Sequence, residues 1–212
     1  MSEKEIETSE VMKTLAAYIA GASKMKLPED AAEHGKHHLL DTVASVISGT
    51  RLAPGEMTIK YIKTLGGTEE ALLLGTNYVT TAVNAALGNA MIAHADETDD
   101  SHKESRSHIG CGAVPAALAM AEREGRSGAE FLNAVVLGYD IGARTNFSIG
   151  VHSMYDAGHS THTFAPSFGA AASAMSLAGL NADQVRWGIS YTAQQVGGIN
   201  CWQRDLDHVE KG

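Results

Sequence analysis

From residue 80 onward the chain is dominated by stretches of alanine and glycine that carry helical punctuation. TTAVNAALGNAMIAHA, GAVPAALAMAEREG, SGAEFLNAVVLGYDIGARTNFSIG, SFGAAASAMSLAGLN and NADQVRWGISYTAQQVGG follow one another with short interruptions. Side chains this small let helix axes approach closely, so they point to a compact all-α helical bundle with little room for a sheet. Local signals set the helix starts. Thr80 or Thr81 is a cap for the first segment, Ser127 with Glu130 forms a capping box, and Asn181 caps the last.

Upstream, LPEDAAEHGKHHLLDTVASVISGT places Pro28 near a helix start, Glu29 and Asp30 in the first turn and Gly49 near the end. Leu39, Leu40, Val43, Val46 and Ile47 have the spacing of one buried face. GEMTIKYIKTLGG is a shorter helix ending at Gly66, and EALLLGT reads as a buried strand or extended segment. With no repeat, low-complexity tract or linker, residues 1–212 read as a single helical domain.

Composition narrows the function. The chain of 212 residues has a formal net charge of −9 and no basic stripe, which argues against nucleic acid. No apolar run approaches the ~20 residues of a membrane span, and MSEKEIETSE lacks the apolar region of a signal peptide. Cys111 and Cys201 lie far apart in apolar surroundings, which gives neither a disulfide framework nor a thiolate metal site. The expected setting is cytoplasmic.

Between two of the small-residue helices lies HADETDDSHKESRSHIG, residues 94 to 110, with carboxylates at Asp96, Glu97, Asp99, Asp100 and Glu104 and imidazoles at His94, His102 and His108. A connection from a helix end near Ala95 to a start near Gly112 is long beside the ~2–8 residues typical of bundles. Crowded carboxylates raise one another's pKa and nearby cations lower it, which can give an acid and a base at neutral pH. A solvated loop fits the composition equally well. A second cluster, VHSMYDAGHSTHTFAPSFG, sets His152, His159 and His162 among hydroxyls before a helix near Phe168. It reads either as a carboxylate-binding loop or as one that satisfies its own backbone. His34, His37 and His38 share one helix without the H-E-x-x-H pattern of zinc sites, and read as structural. GTRLAPGE and GGTEEALLLG match no phosphate-binding fingerprint.

In order along the chain, LLDTVASVISGT, ALLLGT, ALGNAMIAHADETDDSH…SHIG and GHSTHTFAPSFGAAASAMSLAGLN resemble the MmgE/PrpD family, over about residues 10 to 211. The resemblance implies a helical domain paired with a smaller α+β lid. It also implies proton removal next to a carboxylate of a small carboxylic acid, without metal or organic cofactor. Dehydration, decarboxylation and epimerisation all occur in the family, and dehydration is the first expectation. Position by position, the family's D-x-D-D-T-H element falls on Glu97, Asp99, Asp100, Ser101 and His102, and the closing histidine on His108. Glu97 and Ser101 depart from the family's usual Asp and Thr, which leaves the substrate open. The histidine of the G-x-H-[PS]-T element falls on His159, with His162 as competitor because of one extra residue before Phe168.

The roles implied are His108 or His159 as base, Asp100 or Glu97 orienting an imidazole, and Ser101, His102, Lys103 or Arg106 holding substrate carboxylates beside Asp99 and His162. Beyond residues 207–211 the family continues into more helices and the lid. The resemblance therefore implies either one half of a split enzyme, a hetero-oligomer in which another chain supplies the lid, or a truncated form; members of the family commonly form a homodimer through the helical domain. The alternatives are a non-catalytic helical scaffold or regulatory subunit and, more remotely, a His/Asp metal hydrolase.

Overall fold

Capping and apolar spacing set most of the helix boundaries in the computed structural model, which describes residues 7–95 and 97–200. Asp96, Cys201 and the 207–211 segment, all singled out above, lie outside the described residues.

Helix α1, Glu10–Gly21, starts where the Ser9 hydroxyl accepts the Met12 amide at 3.3 Å. It was not anticipated, although Met12, Leu15, Ala16 and Ile19 have helical spacing and pack into the core. A 3-10 turn, Ala22–Lys24, leads to α2, Glu29–Gly49, directly after Pro28. The expected apolar face of α2 needs correction. Gly35, Thr42, Ser45, Val46 and Gly49 are buried, while Leu40 is 68% and Ile47 45% exposed. The helix meets α4 and α6 largely through its small side chains, and this close approach leaves Leu40 and Ile47 outside while Val46 and Leu39 still pack inward.

Helix α3, Ala53–Leu65, ends at Gly66, whose φ of +61° suits a residue without Cβ. The EALLLGT segment contributes β1, Ala71–Leu72, paired antiparallel with β2, Val79–Thr80, in the register Ala71↔Thr80 and Leu72↔Val79. Thr81 caps α4, Ala82–Ala93, by accepting the Asn84 amide at 3.2 Å. Then come α5, Gly110–Glu124, and α6, Gly128–Ile149, the latter opened by the Ser127–Glu130 capping box. A short α7, Val151–Asp156, precedes α8, Thr161–Leu177, and α9, Ala182–Gln195, is capped by Asn181 with Gln184. Helix α8 begins at Thr161, well before Phe168, because the Ser160 hydroxyl accepts the His162 amide. His162 is therefore helical rather than part of a loop.

Helices α5, α6 and α8 form the centre of this all-α fold. Where α6 crosses α8, a Cβ on Gly138 would lie 2.6 Å from Ser173 Oγ and 2.7 Å from Ala113 Cβ; one on Gly169 would lie 2.6 Å from the Gly138 carbonyl. Only glycine permits that approach. Around the crossing, Ile19, Leu137, Ile141, Ala172, Met175 and Val185 join α1, α6, α8 and α9 in one core, where a fully buried Ile or Leu contributes ~1.5–3 kcal/mol. Among the described residues no helix is long and apolar enough to cross a membrane.

Candidate active site

The α4–α5 connection folds over the ends of the central helices and is pinned from inside. Asn146 of α6 is fully buried, and its amide donates to the carbonyls of Ser105 and Thr161, each at 3.0 Å. The Thr161 hydroxyl donates to the Arg106 carbonyl. One residue of α6 thus ties the acidic loop to the start of α8. His102 and Ser107 close a small antiparallel hairpin through amide–carbonyl bonds of 2.9 and 3.3 Å. Arg106 turns it at φ +47°, a strained value for a residue with a Cβ, and its guanidinium stacks on the Tyr155 ring at 5.5 Å.

This pinning sets two imidazoles on one carboxylate and stacks a third on one of them. The Asp99 side chain is completely buried; one of its oxygens lies 3.1 Å from His94 Nδ1, the other 3.5 Å from His108 Nδ1. His108 Nδ1 also faces the backbone carbonyls of Asp100 at 3.0 Å and Asp99 at 3.3 Å. Every one of these partners only accepts, so Nδ1 carries the proton and, in the neutral ring, Nε2 carries the lone pair. His94 lies 5.1 Å from the His108 ring, and His162 stacks on it at 5.2 Å, tilted by 25°. Burial, then the neighbouring His108 and His94, pull the pKa of His162 down to about 4, against a smaller opposing effect of Asp99. His162 is accordingly neutral at physiological pH. Glu97, at φ +53°, brings a carboxylate oxygen to 3.6 Å from His94 Nε2.

Asp100 points the other way, into a pocket floored by α2 and α6. One carboxylate oxygen accepts from Tyr139 Oη at 2.7 Å and bonds His38 Nδ1, whose ring lies 4.7 Å from that of Tyr139. Burial raises the Asp100 pKa, while the Tyr139 hydrogen bond and His38 pull it back. The Tyr139 phenol is pushed well above its ordinary value by burial and by Asp100, so it remains a neutral donor. Gly110 opens α5 against this cluster. A Cβ there would collide with Tyr139 Oη and lie 2.6 Å from both Asp100 Oδ1 and Thr42 Oγ1.

Of the residues singled out from the sequence, Glu97, Asp99, His108 and His162 come together, and Asp100 anchors the loop from behind. Ser101, Lys103 and Arg106 are exposed on the hairpin. His102 bonds Ser105 Oγ at 2.8 Å, and its Nε2 lies 3.7 Å from Glu104. His159 is exposed, with Nδ1 3.1 Å from the Gly198 carbonyl, and is not brought into the imidazole cluster. His34 and His37 stay at the surface of α2, whereas His38 bonds Asp100.

The sequence pattern assigns no site role to His94, His38 or Cys111 and gives no signal for Tyr139 or Asn146. His94 stood in plain view in the acidic stretch. For His38 and Tyr139, respectively 62 and 39 residues from Asp100 along the chain, no local signal exists. Cys111, a free thiol in the first turn of α5, donates to the His108 carbonyl at 3.2 Å and is pushed well above its ordinary pKa by burial and by Asp99. His94, Asp99 and Cys111 each offer one atom to a group whose members all lie within 4.8 Å of one another, a set able to hold a metal ion.

A cis-aconitate decarboxylase-like protein of Aspergillus oryzae is 27% identical to the chain over 197 residues, which cover 89% of this chain and 41% of that protein. The chain thus spans about two fifths of that relative's length. The sequence pattern of the MmgE/PrpD N-terminal domain matches residues 13–211, and with that match the chain belongs to the MmgE/PrpD family.

Proposed function

We propose that this segment carries the proton-abstracting centre of a lyase acting on small carboxylic acids, with His108 as the base. The observation that carries the reading is the Nδ1 environment of His108. Two backbone carbonyls and the buried Asp99 carboxylate hold the proton on that nitrogen and leave Nε2 free to take one from carbon. Asp99 stabilises the imidazolium that results. His162, neutral and stacked on the same ring, and His94 complete a polar surface for the developing enolate. Ser101, His102, Lys103 and Arg106, on the adjoining hairpin, are the groups we assign to substrate carboxylates. The family relationship and the decarboxylase-like relative support lyase chemistry.

Loss of a β-hydroxyl, loss of carbon dioxide and return of the proton to the other face share this first step. Dehydration is the outcome we favour, with decarboxylation the alternative that the relative's name suggests. The substrate would be closed in by a lid from further chain or from a partner, in a homodimer or hetero-oligomer. Exposed Met57 and Tyr61 on α3 and Val83 and Leu87 on α4 are apolar surface for such contacts. A reducing cytoplasm is the setting we propose.

The test is solvent-deuterium exchange at the carbon next to a carboxylate, followed by NMR with cis-aconitate and related tricarboxylic acids. It is run on the complete polypeptide or complex that carries this segment. His108→Gln should slow exchange by ~10²–10⁴-fold, and His159→Gln should leave it within a few-fold. Undiminished exchange in His108→Gln refutes the assignment. Absence of exchange in a folded, complete assembly favours the scaffold reading instead.

A further inference from the structure

We propose that His94, Asp99 and Cys111 form a binding site for a thiophilic divalent cation, zinc foremost. His94 caps the C-terminus of α4, Cys111 lies in the first turn of α5, and Asp99 hangs from the loop between them. Because α4 and α5 pack on each other, the spacing of the outer two ligands is set by the helical scaffold.

Tetrahedral coordination with bonds of ~2.1–2.3 Å needs ligand atoms about 3.4–3.7 Å apart. The three atoms already lie within 4.8 Å of one another, and the His94–Asp99 edge is 3.1 Å. Small side-chain rotations close the remainder. The Asp99 side chain is fully buried and that of His94 only 12% exposed, so a captured ion would exchange slowly with water.

Charge and donor type agree with this assignment. Carboxylate and thiolate together carry two negative charges, and the imidazole is neutral, so a dication is balanced. On binding, the Sγ–H bond breaks, its proton leaves to solvent and the electron pair forms the S–metal bond; nothing is oxidised. A set of one nitrogen, one oxygen and one sulfur suits zinc, cobalt or cadmium, while magnesium and calcium prefer all-oxygen shells. The fourth position is open to water or a carboxylate ligand.

The ion would take Asp99 and His94 out of the cluster around His108. Inhibition by zinc, reversed by a chelator, is therefore expected; that consequence alone rests on the proposed function. The binding claim stands apart and has its own readout. Cobalt(II) titrated into chelator-treated protein should bind with 1:1 stoichiometry, giving strong tetrahedral d–d bands and a near-ultraviolet thiolate-to-cobalt charge-transfer band, both removed by zinc.

Cys111→Ser should abolish the charge-transfer band. His94→Gln should weaken zinc binding by at least the ~10–100-fold that loss of an outer-shell partner costs. His34→Gln with His37→Gln on the surface of α2 should change neither. X-ray absorption at the zinc edge of the wild-type protein, which depends on no variant, should show one sulfur and two or three nitrogen or oxygen neighbours. An all-nitrogen/oxygen shell, charge transfer persisting in Cys111→Ser, or no stoichiometric binding would overturn the proposal and leave the proton-abstraction reading intact.

Discussion

Replacing Tyr139 by phenylalanine removes one hydroxyl and little else, since the ring that packs on His38 at 4.7 Å is retained. The lost bond is the 2.7 Å donation to an Asp100 carboxylate whose side chain is only 12% exposed. A hydrogen bond to a charged partner contributes ~1.5–3 kcal/mol and one to a neutral partner ~0.5–1.5 kcal/mol. The cost should therefore depend on whether Asp100 is ionised. Burial sets its folded pKa above the unfolded value. The stability this group contributes is thus complete below the ordinary carboxylate pKa and is lost as pH rises through the folded pKa. Without Tyr139 the folded pKa climbs further, because that hydrogen bond is the largest influence lowering it. The loss then deepens and extends to higher pH.

The difference in unfolding free energy between wild type and Tyr139→Phe should be ~0.5–1.5 kcal/mol near pH ~4 and ~1.5–3 kcal/mol near pH ~8. At ~2–4 °C per kcal/mol for a chain of this size, the larger figure is a fall in Tm of roughly 3–12 °C. Urea denaturation followed by circular dichroism at both pH values measures it. A difference that is the same at the two pH values, or negligible at the higher one, would refute the claim that the Tyr139 hydroxyl lowers the Asp100 pKa.

Three further outcomes follow from named contacts. Gly138→Ala should cost up to about 2 kcal/mol, because overpacking at the α6–α8 crossing (~1–3 kcal/mol) exceeds the helix-propensity gain of ~1 kcal/mol; Gly128→Ala, with nothing within 4 Å of the added Cβ, should be neutral or stabilising in the same melts. Asn146→Ala removes the side-chain donor of the Ser105 carbonyl and the tie to the Thr161 carbonyl and should cost ~2–4 kcal/mol, with amide exchange accelerated in the 97–108 loop and the first turn of α8 before the rest of the protein. His162 has its folded pKa near 4, below its unfolded value, so its contribution is present above the unfolded pKa and lost as pH falls through the folded one. His162→Gln should flatten that acid-side decline by about 3 kcal/mol between pH ~6.5 and ~4, read from denaturation midpoints.

Helix content and most helix starts were legible because their causes are local. The side chains of Ser127, Glu130, Asn181 and Thr81 bond amides within one turn of themselves, and Pro28 sets the backbone just ahead of α2 through its fixed φ. The acidic stretch was legible as a candidate site from its density of titratable groups and from the ordered resemblance along the chain. Periodicity misled at α2, where Leu40 and Ile47 have core spacing and face outward, because burial depends on which partner helix approaches and how closely. The sequence pattern places the start of α8 too late, because the Ser160 hydroxyl that caps it sits in a run of His, Ser, Thr and Gly with no local mark of a helix.

By itself, then, the sequence determined an all-α fold, the family and the loop that holds the candidate chemistry, since caps, small-residue content and motif order are properties of neighbouring residues. Tertiary structure alone decided which titratable groups meet. It drew Asp99 inward between His94 and His108 while turning the adjacent Asp100 toward His38 and Tyr139. It also stacked His162, rather than His159, on His108. The physical reason is that consecutive loop residues point in different directions only once Asn146 holds the backbone against α6 and His38 and Tyr139 hold Asp100, and those constraints come from parts of the chain that the loop's own sequence does not contain.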